Sequence, residues 1–138
     1  MRGFETFDHT ADIGLLARGG TLAEVFENAA RGLIDLSVDP GGLREEIRME
    51  TTVSAGDREA LLVAWLNELL YLLDTQRFLP RQSRITHISD THLAAALLGD
   101  TIDPARHTVR RMIKAATYHA LSLRHVGGAW EARVILDL

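Results

Sequence analysis

The spacing of apolar residues along the chain predicts strands at both ends and two helices between them. Phe4–Phe7 is a short apolar-rich run that reads as a strand, and Asp8-His9-Thr10-Ala11-Asp12 is polar and turn-like. Ile13–Ala17 reads as a second strand, closed by Gly19-Gly20. Thr21-Leu22-Ala23-Glu24 has the form of a capping box, in which the hydroxyl accepts from the N3 amide and the glutamate reaches back. Leu22, Val25, Phe26, Ala29, Leu33 and Leu36 then recur at helical spacing, predicting an amphipathic helix over residues 22–36 that Asp39-Pro40-Gly41-Gly42 ends. Apolar Ile47, Met49 and Val53 alternate with polar neighbours, the pattern of a half-buried strand. Asp57 is placed to cap a second helix running to about Asp74. Its apolar residues, from Leu61 to Leu73, cover so much of the circumference that it must lie deep against a sheet.

The remainder is predicted to be β-rich. Ser83–Ile88 and His92–Leu98 flank Ser89-Asp90-Thr91 as a hairpin, and Gly99-Asp100 ends the second of these strands. Val109–Arg124 alternates over a long stretch interrupted near Tyr118. Gly127-Gly128 is a tight turn before a last strand over Trp130–Leu136. The predicted fold class is α+β: one domain over residues 1–138, a two-layer sandwich with two main helices on a mostly antiparallel or mixed sheet.

Composition narrows the chemistry. The 138 residues contain no cysteine, which removes disulfides, iron–sulfur clusters, thiolate zinc sites and cysteine nucleophiles. The formal net charge of -4 argues against a whole-molecule footprint for nucleic acid, so strong direct RNA or DNA binding is not expected. No apolar run approaches the roughly 18 residues of a membrane span, and residues 1–5 lack a signal-peptide apolar region, so a cytoplasmic protein without membrane contact is expected. Of 15 basic residues, Lys114 is the single lysine. An ammonium is a compact point charge where a guanidinium is a planar fork, which marks Lys114 as a position with its own demand.

Three places offer chemistry. Asp8-His9-Thr10-Ala11-Asp12 gathers two carboxylates and an imidazole; Asp8 and Asp12 suit a hard cation, His9 a softer one, and turn hydrogen bonds are the plainer use of Asp8 and Thr10. The end of the sequence, Asp137-Leu138, sets a side-chain carboxylate beside a terminal one, a costly pairing unless a cation or basic group intervenes; an exposed, frayed end is the plainer reading. Arg106, His107, Arg110 and Arg111 form the most basic stretch, suited to a phosphate or an acidic partner, or simply a solvated face. His119 is a candidate general base or a hydrogen-bonded structural group. No phosphate-binding glycine loop, nucleophile elbow or zinc-protease motif is present.

Phe7-Asp8-His9-Thr10-Ala11-Asp12-Ile13-Gly14 resembles the signature of the archease family. So, in order, do Glu27-Asn28-Ala29-Ala30, residues 65–71, Ile102-Asp103 with Arg106-His107, residues 113–119, and Trp130–Leu138. The resemblance spans nearly the whole chain. It implies a non-catalytic protein cofactor of the GTP- and metal-dependent RNA ligase that joins 3′-phosphate or 2′,3′-cyclic-phosphate ends to 5′-hydroxyl ends in tRNA splicing and RNA repair. By motif match it implies a divalent cation, Ca2+ before Mg2+ or Mn2+, held by Asp12, Asp137 and Leu138. Lys114 matches the family lysine and is implied in activation, with His9 and Asp8 shaping the loop beside the metal. Two other functions stay open: a small metal-dependent hydrolase using His9 or His119 as base, and a chaperone-like modulator of a partner enzyme.

Overall fold

The computed structural model describes residues 3–9 and 12–138, with Asp8 and His9 described by backbone alone. Strand β1 (Phe4–His9) pairs antiparallel with β2 (Asp12–Gly19). Asp8 and His9 therefore continue the first strand rather than leaving it for a turn; Thr10 and Ala11 lie outside the described residues. Helix α1 (Leu22–Ser37) begins as its capping residues require. Thr21 accepts from the Glu24 amide at 3.1 Å, and the Glu24 carboxylate accepts from the Gly20 amide at 3.2 Å, one residue before the cap. A short 3-10 turn at Pro40–Gly42 follows, then β3 (Ile47–Ser54). Helix α2 (Arg58–Gln76) is capped by Asp57, which accepts from the Ala60 amide at 2.8 Å. Next come β4 (Phe78–Ile88), β5 (His92–Thr101), the two-residue β6 (Ala115–Ala116), β7 (Ser122–Val126) and β8 (Ala129–Asp137). Gly127 and Gly128 make the β7–β8 turn with φ of +58° and +82°, a backbone that favours glycine at both positions.

All the strand pairings are antiparallel, and two helices pack on them, so the α+β expectation holds. The strands divide between two sheets instead of one. One has the order β1-β2-β8-β6 with β7 also on β8; the other has the order β3-β5-β4. Helix α1 packs on β2 and on β4, one strand from each sheet, and α2 also touches both, so the helices join the sheets through one core. Its centre is Phe26, Leu33, Leu62, Trp65, Leu97 and Leu136, all buried. Trp65 keeps its polar group satisfied by donating to the Phe26 carbonyl at 3.0 Å.

The stretch 109–124 contains far less strand than its alternation predicts. Its first residues are drawn to the end of α1: the Asp39 amide donates to the Thr108 carbonyl, the Arg110 amide to the Ser37 carbonyl, and Val109 bridges Val38. Backbone groups committed there have none left for a sheet.

Candidate functional site

The β2–β8 register sets Asp12 directly opposite Asp137. On one flank β1 places His9 as the register partner of Asp12; on the other, β6 places Ala115 opposite Asp137. The Lys114 amide donates to the Asp137 carbonyl at 2.8 Å, and the same register carried one residue on sets Lys114 beside Leu138. Four of the residues singled out from sequence, Asp12, Lys114, Asp137 and Leu138, thus meet at one end of the five-stranded sheet. Asp12 is the first residue of β2 rather than part of a loop, so its position is fixed by a ladder and not by turn chemistry. The side chains of Asp8 and His9 lie outside what the structure describes.

Directly opposed residues of an antiparallel pair share a face, with Cβ atoms about 4.5–5.5 Å apart. Two aspartates so placed repel when both are ionised, and carboxylate oxygens are ligands of the kind a hard cation takes. Asp137, Leu138 and Lys114 are exposed and Asp12 is half-buried, so an ion or a partner group has access. Among the described residues, no three His, Asp, Glu or Cys side chains converge on one point. The register brings two carboxylates together at this end of the sheet, with the Leu138 main chain beside Asp137.

Most other motif residues hold the architecture. Glu27 accepts from the Ile85 amide at 2.8 Å, covering the free edge of β4, and Asn28 donates to the Arg18 carbonyl at 2.7 Å. Phe7 lies over Gly14, its register partner; a Cβ there would stand 1.9 Å from the ring. Arg133 lies over the same ring, its guanidinium carbon 4.4 Å from the centroid. Asn67 bonds to both main-chain groups of Ala116.

In the basic stretch 106–111, His107 is buried, Arg106 and Arg111 are half-buried and Arg110 is exposed. Asp100, buried at the end of β5, is the centre that Arg106 and His107 serve. Arg106 Nη2 donates to Asp100 Oδ1 at 3.2 Å, and its Nη1 stands 3.1 Å from Oδ2. His107, fully buried, accepts the Asp103 amide hydrogen on Nδ1 at 2.8 Å, so Nε2 carries the hydrogen donated to Asp100 Oδ2 at 3.1 Å. The Arg44 and Thr101 amides add bonds of 3.2 and 2.9 Å. Desolvation opposes ionisation of Asp100, but the Arg106, Arg44 and His107 hydrogen bonds and the Arg106 charge outweigh it, holding the carboxyl below its ordinary range. Arg110 donates to the Asp35 carbonyl at 2.8 Å and Arg111 to the Leu36 carbonyl at 2.9 Å, both at the end of α1. These bonds give the basic stretch a structural use. Asp100 went unread in the sequence, although an aspartate at a strand end six residues before Arg-His was a signal available there.

With this geometry in place, the relatives are informative. The Archease protein family (MTH1598/TM1083) matches residues 4–138. The archease of Methanosarcina acetivorans is 37% identical over 98% of this chain and 95% of its own length. That of Methanothermobacter thermautotrophicus is 38% identical over the whole of both. The solution structure of Methanobacterium thermoautotrophicum protein 1598 superposes with a TM-score of 0.83 at 37% identity, covering 100% of both chains. The crystal structure of a Thermotoga maritima archease, described as a possible chaperone, shares the fold with a TM-score of 0.66 at 21% identity, covering 97% of this chain and 96% of its own. The chain belongs to the archease family.

Proposed function

We propose that this protein activates an RNA ligase of the GTP- and metal-dependent type that joins 3′-phosphate to 5′-hydroxyl ends, promoting ligase guanylylation and multiple turnover in tRNA splicing and RNA repair. The observation that carries the reading is the meeting of Asp12, Asp137 and Lys114 at one sheet end, on a chain where motif residues such as Glu27, Asn28 and Asn67 are spent on structure. Asp12 and Asp137 would hold a divalent cation, Ca2+ with Mg2+ or Mn2+ as alternatives, with Leu138 contributing a main-chain oxygen. When bound, the cation neutralises the paired carboxylates and offers a positive centre to phosphate or carboxylate groups of the ligase complex. Lys114 adds a second positive charge at the same edge, on a stem able to reach a partner.

The test is ligation by the partner ligase with and without this protein, under single-turnover and multiple-turnover conditions. Multiple turnover is expected to depend on it, and Asp12→Ala, Asp137→Ala and Lys114→Ala are each expected to abolish or strongly weaken the stimulation while circular dichroism shows an intact fold. Equal multiple-turnover rates with and without the protein would end the proposal. Metal-dependent hydrolytic activity of the isolated protein would favour the hydrolase instead. A chaperone-like role has one observation of its own: Met112, Tyr118 and Tyr71 are exposed apolar side chains, at 79%, 65% and 58%. Protection of unrelated aggregating proteins would favour that reading. Among the described residues no helix is long and apolar enough to cross a membrane.

A further inference from the structure

Strand β6 is two residues long and lies at the edge of its sheet. One side of it pairs with β8. On the other side, where another strand would run, stands the side chain of Asn67 from α2. Its Oδ1 accepts from the Ala116 amide at 2.8 Å, and its Nδ2 donates to the Ala116 carbonyl at 3.2 Å. A carboxamide carries the donor and acceptor of a peptide group, so Asn67 satisfies both main-chain groups of Ala116 as a neighbouring strand would. The β8 side is held by the Lys114 amide on the Asp137 carbonyl at 2.8 Å and by the Thr117 amide on the Ile135 carbonyl at 3.0 Å. Lys114 is therefore anchored through a segment gripped between β8 and one half-buried amide. A two-residue strand has too few ladder bonds to hold its register alone.

We infer that Asn67 is a positioning residue for the Lys114–Asp137 edge: its carboxamide completes β6 and thereby sets where the Lys114 ammonium stands relative to Asp12 and Asp137. The inference rests on the activator reading for its consequence, but not for its geometry. The residue type follows from the bonds. Aspartate has the same shape but turns an acceptor toward the Ala116 carbonyl. Leucine leaves two main-chain groups without partners, and glutamine is one methylene too long for the same grip.

Asn67→Asp is the decisive variant, with Asn67→Ser as a second in case the first folds poorly. In the isolated protein, amide hydrogen exchange read by NMR is expected to quicken at least tenfold at residues 114–117 and to stay unchanged for Leu15 and Val134 in the β2–β8 ladder. Quickening throughout that ladder, or none at 114–117, would overturn the positioning role. With the ligase, the variant is titrated to saturation. A lower plateau of stimulation, tenfold or more, at an unchanged half-saturating concentration is expected. A variant that only lowered the folded fraction would shift the half-saturating concentration and keep the plateau, and that result, like full stimulation, would overturn the inference. Should the wild-type protein fail to stimulate at all, the activator reading falls and the exchange measurement still judges Asn67.

Discussion

Asp100 illustrates what a single buried carboxylate does in this fold. It accepts hydrogen bonds from two main-chain amides, Arg106 and His107, and so ties the end of β5 to the chain entering residues 102–111. Its side chain is only 4% exposed, so solvent replaces none of these bonds when one is lost. Asp100→Asn keeps the shape but removes the charge opposite Arg106, leaving that cation with a weaker acceptor. A destabilisation of about 3 kcal/mol is expected in urea unfolding, the range for breaking a buried ion pair from one side. The pH dependence follows from the depressed pKa. Below the ordinary carboxyl range of about 4 the unfolded chain takes up the proton first, so the stabilisation is full above that range. It is lost as pH falls further, through the folded-state value. Wild-type stability is therefore expected to drop more steeply below pH 4 than that of Asp100→Asn; parallel acid transitions would contradict this account.

At the scale of elements, what was legible was local. Thr21 and Asp57 announced the starts of α1 and α2 because a cap bonds to an amide three residues away. The hairpins were legible for the same reason. The end of α1 was legible only as a break at Asp39–Gly42, because the groups that satisfy its last carbonyls arrive from 75 positions away. Arg110 and Arg111 supply them, placing two positive charges where the helix dipole is negative. Arg111→Ala is expected to cost about 1–2 kcal/mol, as a hydrogen bond from a charged donor to a half-buried carbonyl does. Arg110→Ala should cost less, since its guanidinium is 39% exposed and its ion pairs with Asp35 and Asp39 are screened. Equal losses, or none from Arg111, would show that the carbonyls find water instead. The same distance effect hid β6: its alternation could be read, but not that Asn67 would stand in for a neighbouring strand.

The whole molecule brings its two most distant charged motifs together. The sequence motifs marked Asp12 and Asp137 as residues of interest, while the ladder that faces them is a property of the assembled sheet, in which β8 is flanked by β2 on one side and by β6 and β7 on the other. Farther along the outer face the same strands solve their charge problem internally. Glu5, Arg18, Glu131 and Arg124 alternate in sign from β1 through β2 and β8 to β7, with contacts of 3.0, 3.3 and 3.7 Å. The Asp12–Asp137 row sets carboxylates on both central strands, and the cation proposed for this edge would neutralise them. If Ca2+ binds there, it stabilises the fold by mass action, by about 2.7 kcal/mol at a concentration 100 times Kd. For a chain of this size that corresponds to a rise in Tm of about 8 °C. Asp137→Asn removes one charge of the pair and one ligand. In metal-free buffer its Tm is expected to equal or exceed the wild-type value, because repulsion is relieved, while the Ca2+-dependent rise disappears. The Asp100→Asn variant, whose lesion lies elsewhere, is expected to start lower and still rise on adding Ca2+. A wild-type Tm indifferent to millimolar Ca2+, Mg2+ and Mn2+ alike, or an Asp137→Asn protein that gains as much from them as wild type, would remove the cation from this edge and leave Lys114 alone to meet the partner.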